Sequence, residues 1–119
     1  MIDVYVDASV AAMPDAAVHL AHLVETGHQV VFVGDCPPAV VDALPTASSI
    51  RAVPDHVAPS SWFVTADPSR CAAARQVGLR TVLVGPRAAP TTFPTKRCDA
   101  EARDLSTAVL EILSNEVMG

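Results

Sequence analysis

The sequence predicts an α/β protein: one domain, residues 1–119, built as a three-layer, doubly wound and mostly parallel sheet of about five strands. Three observations carry that prediction. Apolar runs of strand length alternate with stretches whose apolar residues fall at helical spacing. Glycines stand where helices should stop, at Gly27 and Gly78. Two apolar runs are followed at once by an acid, Asp7 after IDVYV and Asp67 after WFVTA. In a parallel sheet the C-terminal strand ends form one rim, where ligands and chemistry collect. The pattern therefore predicts that Asp7 and Asp67 share a rim.

Ile2–Val6 is rich in β-branched and aromatic residues and predicts the first strand. Pro14 and Asp15 suit a helix start. Ala16, Leu20, Leu23 and Val24 then fall on one helical face, and Gly27 suits the position that ends that helix. Gln29–Val33 predicts the second strand, Gly34 to Pro38 a loop, Pro38–Leu44 a short helix and Ser49–Val53 a brief third strand. Residues 54 to 61 hold two prolines and read as a loop. Ser61–Val64 is the fourth strand, Pro68–Val77 the next helix and Arg80–Val84 the fifth strand. The stretch from Arg87 to Thr95 reads as a surface loop, and Lys96 to Arg103 as the place for a short edge strand. Asp104 suits an N-cap. Leu105, Val109, Ile112 and Leu113 repeat the helical face in a last helix.

Composition narrows the function. Half of the 119 residues are apolar and 18% are charged, the balance of an ordered globule. The net charge of −5 argues against nucleic acid and anionic membranes, which select basic surfaces. The three cysteines, Cys36, Cys71 and Cys98, are odd in number and lack CxxC spacing, which argues against a disulfide scaffold and a zinc knuckle. Cys71 reads as a core thiol in an Ala-rich helix; Cys36, at a strand end, is a candidate exposed thiol. His19 and His22 lie three apart on a helix without a supporting carboxylate or Cys and read as a solvated face. The N-terminus lacks a basic n-region and no apolar run is long enough to span a bilayer, so the expected location is cytoplasmic.

Three segments carry a resemblance to the haloacid dehalogenase (HAD) superfamily, reduced to a capless core. They are VYVDAS at the first strand, AAARQVGLRTVLVG from Ala72 to Gly85, and the tail CDAEARDLSTAVLEIL. The second resembles the run in which an Ala-Arg-x-x-Gly helix leads into a Thr-Val-Leu-Val strand. The resemblance implies phosphoryl chemistry: a nucleophilic Asp after strand one, a second Asp two positions on as general acid and base, a Ser or Thr and a Lys or Arg that hold phosphate, and carboxylates that hold Mg²⁺.

Few of those parts are retained. Asp7 stands at the nucleophile position, and Ser9 at the acid/base position. Gly34 replaces the phosphate-holding Ser or Thr, and Arg51 is the nearest basic substitute for the Lys. Aligned without gaps, the metal-loop acids become Ala66 and Arg70, leaving Asp7 and Asp67 as the candidate Mg²⁺ ligands. The resemblance thus implies a degenerate phosphatase site on a binding or accessory domain, as a homo-oligomer or with a protein partner. Its alternative is a minimal Mg²⁺-dependent phosphohydrolase acting on a phosphorylated ligand through Asp7, Asp67 and Arg51. A dehalogenase also lacks the second Asp, but the chain has no room for the cap that closes its site. A receiver-like signalling domain is a further alternative; it lacks the adjacent acid after strand one and the Lys after strand five.

Each acid also has a structural reading. Asp7 suits the capping of the turn after its strand. Asp67 followed by Pro68 suits an N-cap with proline at the first helical position. Arg70 and Arg75 on one helix offer a candidate anion site, with the Arg75 stem covering the sheet edge.

Overall fold

In the computed structural model, which describes residues 3–57, 60–85 and 100–118, the elements run β1 Asp3–Asp7, α1 Ala8–Ala11, α2 Ala16–Glu25, β2 Gln29–Val33, α3 Pro38–Ala43, β3 Ser48–Ile50, β4 Trp62–Thr65, α4 Pro68–Gln76, β5 Arg80–Val84, β6 Ala100–Ala102 and α5 Leu105–Met118. The described strands form one sheet in the order β3-β2-β1-β4-β5-β6. Every neighbouring pair is parallel. The expectation of about five strands is exceeded by one, because the edge strand anticipated between Lys96 and Arg103 forms at Ala100–Ala102, beside β5.

The pleat divides the strand residues between two cores. Val4, Val6, Val30, Phe32, Trp62, Val64, Val82 and Val84 point to one face, where Leu20 and Leu23 of α2 and Leu105, Val109 and Ile112 of α5 cover them. Val40 and Val41 of α3 pack against the same cluster. Tyr5, Val31, Val33 and Phe63 point to the other face, covered by Ala74 of α4, Leu79 and loop residues such as Val53 and Val57. Helices on both faces of a parallel sheet make a three-layer, Rossmann-like α/β fold. The second face is the thinner, because the crossover from β3 to β4 contributes loop where a doubly wound fold often places a helix.

Local chemistry sets the ends of the elements. After α2, Gly27 takes φ +91, its N–H bonds Val24 O, and the His28 N–H reaches back to Leu23 O. That is a Schellman stop, which needs a left-handed residue and hence favours glycine. Gly78 ends α4 in the same way, with Leu79 N–H on Ala74 O. Asp104 accepts from Thr107 N–H at 2.8 Å and caps α5 as expected. Asp15 precedes α2 in a left-handed conformation, φ 59, without a side-chain capping bond.

Three sequence expectations change. The single helix expected between Ala8 and Gly27 is two, since a four-residue turn, α1, precedes α2. β3 is shorter than Ser49–Val53 and begins one residue earlier. Cys71 is no free core thiol: it is fully buried and disulfide-bonded, while Cys36 is free. The anticipated loop from Arg87 to Thr95 also lies outside the described residues. Among the described residues, no helix is long and apolar enough to cross a membrane.

Candidate functional site

The strand order reverses direction between β1 and β4: the chain leaves β1 toward β2 on one side and leaves β4 toward β5 on the other. The crevice at the C-terminal ends of such a strand pair is the favoured ligand site of open parallel sheets. Asp7 ends β1 and Thr65 ends β4, and the register pairs Val6 with Val64 one residue below each. Regular parallel pairing therefore brings a carboxylate and a hydroxyl together from positions 58 residues apart.

Asp7 is 2% exposed. It occupies the N-cap position of α1, yet its side chain makes no capping bond. Instead Oδ2 accepts two hydroxyl hydrogen bonds, from Ser9 Oγ at 2.6 Å and Thr65 Oγ1 at 2.8 Å. Oδ1 faces the Arg70 guanidinium, with Nε at 3.3 Å. The pair lacks hydrogen-bond geometry, so Oδ1 receives a neighbouring positive charge but no directed donor among the described residues. A buried charge left without a partner is costly, and here two hydroxyls and one cation share the compensation.

The hydroxyls are themselves held. Ser9 Oγ accepts from Ala66 N–H at 3.1 Å, and Thr65 Oγ1 accepts from Asp67 N–H at 3.1 Å. Each donates to Asp7 and accepts from the β4–α4 backbone, which fixes its orientation. The turn α1 makes this possible, because it folds Ser9 back over the strand end that carries Asp7. Gly34, at φ +86, lies beside the same turn: a Cβ there would meet Ala8 Cβ at 3.7 Å.

Asp67 turns elsewhere. Its Oδ1 accepts from Ser69 N–H at 3.0 Å and Ser69 Oγ at 2.7 Å, an N-cap on α4. Those hydrogen bonds hold its carboxyl below the ordinary 3.8, against an opposing effect of burial, and the charge of Arg70 adds the least. Arg51 is exposed after β3, and β2 separates its strand from β1. Among the described residues, no hydrogen bond or ion pair joins Arg51 to Asp7 or Ser9. The site thus joins Asp7 with Ser9 and leaves Arg51 and the Asp67 carboxylate out.

Cys36 is half-buried near the rim, and its Sγ donates to Val33 O at 3.7 Å. Burial, then the charge of Asp7, push its thiol above the ordinary 9.0, with the bond to Val33 pulling the other way and Asp35 adding to the rise. A thiol held protonated is a poor nucleophile. His22 pairs with Glu25, three residues on, at 3.8 Å, so a carboxylate does stand beside it, contrary to expectation, although both side chains are more than half exposed, as on a solvated face. Among the described residues, no group of three or more His, Cys, Asp or Glu side chains is placed to hold a metal ion.

Thr65 and Arg70 are the residues whose roles the sequence did not assign. Thr65 fell just past the expected fourth strand, Ser61–Val64, at the Gly position of the metal loop, and Arg70 read as a lost acid or half of an anion site with Arg75. A polar residue closing the otherwise apolar run WFVT was the available signal.

No family model matches the chain, and no curated protein matches it. A solved crystal structure superposes on 98% of this chain and 97% of its own, with a TM-score of 0.60 at 13% sequence identity. The likeness covers nearly all of both chains, and at that identity it supports the three-layer α/β fold alone.

Proposed function

We propose that this protein is a HAD-like domain whose phosphoryl-transfer site has become a fixed structural network, and that it works by binding. One observation carries the reading: the carboxylate at the nucleophile position is engaged by residues of its own chain. Oδ2 is taken by Ser9 and Thr65, and Oδ1 lies beside Arg70. A nucleophilic carboxylate needs an oxygen open to phosphorus, and a general acid beside it. Ser9 is no such acid near neutral pH, and its hydroxyl already donates to Asp7.

The donor set does not fit Mg²⁺. That ion takes oxygen ligands in an octahedron. Asp7 Oδ1 faces a guanidinium instead, and Asp67 is committed to Ser69. Arg70, at the position where the resemblance expects a metal-loop acid, supplies positive charge from within the chain. The acidic balance favours a protein or small-molecule partner over nucleic acid.

Two measurements test the reading together. para-Nitrophenyl phosphate with millimolar Mg²⁺ should give no release above background. The same Mg²⁺ series should leave the amide resonances of Asp7 and Asp67 in place. Mg²⁺-dependent release that Asp7→Asn abolishes would overturn the proposal in favour of the minimal phosphohydrolase.

A further inference from the structure

A groove of about 440 Å³ runs between α4 and the loop after β3. Its volume falls in the range of small-molecule sites. Its lining is mixed: apolar side chains come from Phe63 of β4, Val53 of the loop, and Ala73 and Val77 on or just after α4, and Ser69 adds a hydroxyl. Two charged residues also line it, Arg70 and Asp55.

Arg70 belongs to both places. Its Nε lies against the buried Asp7 Oδ1, while its side chain is 46% exposed and lines the groove. A guanidinium presents five donors in a rigid fork. Contact through Nε leaves the terminal nitrogens for a ligand. Asp7 thus fixes the arginine from behind, as a positioning residue, and Ser9 and Thr65 in turn fix Asp7. A pre-positioned arginine loses less freedom when a ligand binds.

We propose that this groove binds small amphipathic monocarboxylates, whose apolar body lies against Val53, Ala73 and Val77 and whose carboxylate pairs with Arg70. The inference rests on the reading of Asp7 as a structural residue. Charge selects one carboxylate over a more highly charged anion. Arg70 is the positive side chain lining the groove, Asp55 stands on the loop wall, and Asp7 lies behind the guanidinium. Asp7 and Asp55 already face the one cation, so a single carboxylate gains only a weak pairing with Arg70, and each further negative charge on a ligand adds repulsion.

The test is a titration of ¹⁵N-labelled protein with 3-phenylpropionate, 3-phenylpropanamide, phenylsuccinate and inorganic phosphate. The monocarboxylate should shift the amides of Val53, Asp55 and Ser69 to Val77, and should bind about three- to fivefold more tightly than the amide, as a half-exposed ion pair allows. Arg70→Gln should erase the difference between acid and amide without abolishing binding. Ala73→Trp, at an exposed position on the groove wall, should remove binding of both, with folding checked by circular dichroism. Equal binding of acid and amide, tighter binding of phenylsuccinate or phosphate, or unchanged binding in a folded Ala73→Trp variant would each overturn the proposal. None of these readouts depends on phosphate-ester turnover, so loss of the groove proposal and loss of the binding-domain reading are separate results.

Discussion

Thr65 is the residue on which the Asp7 network turns. It is fully buried, donates to a buried carboxylate and accepts from the Asp67 backbone. Thr65→Val keeps its shape and removes both bonds. Leaving a buried acceptor short of a donor costs about 1–3 kcal/mol, so urea unfolding of Thr65→Val should show a loss of that order. No measurable loss would mean that Ser9 and Arg70 alone satisfy Asp7. Asp7 itself was legible as a rim residue because an acid that directly follows a buried strand must stand at the strand's end. Its partners were not, because hydrogen bonding across a switch point depends on register between strands distant in sequence. Arg51 failed for the complementary reason: its type suited phosphate, but its strand stands beyond β2.

Element by element, caps and stops were the most readable features. Gly27, Gly78, Asp67 and Asp104 each do what their residue types allow. Asp67 and Asp104 make a pH prediction. Both carboxyls are held below the ordinary 3.8, chiefly by hydrogen bonds from Ser69 and Thr107. A depressed folded pKa adds stability above the unfolded value, and that stability is lost as pH falls through the folded one. Thermal midpoints should therefore fall as the solution is acidified below about pH 4. The double variant Asp67→Asn, Asp104→Asn should show a shallower fall over that window; an equally steep one would assign the acid sensitivity to other carboxylates. The turn α1 escaped sequence reading because four residues carry no periodicity. β3 was overextended because apolar residues past Ile50 pack as loop on the second face.

On the scale of the whole molecule, alternation of strand and helix patterns was enough to specify a parallel three-layer fold, since parallel strands need crossovers and crossovers need covered faces. The disulfide at Cys71 lay beyond that logic, because an odd count of cysteines without CxxC spacing leaves no pattern that marks a pair. Reduction should lower stability by about 2–4 kcal/mol, the usual effect of losing such a link. Denatured, unreduced protein should react with a thiol reagent at fewer than its three cysteines, and at all three after reduction. An unchanged midpoint with three reactive thiols at the outset would place the protein in its reduced form.

The strand order also has a consequence for how the chain is made. Val4 finds its partner on one side in Val30, but on the other only in Trp62. A nascent chain that ends before β4 can lay β1 against β2 and no more. One flank of β1 then stands open, with its backbone amides and carbonyls unpaired and Asp7 lacking Thr65. Synthesis must pass β4 before the centre of the sheet can close. Until then the strand carrying the future site is an exposed edge, the kind of surface on which nascent chains associate wrongly.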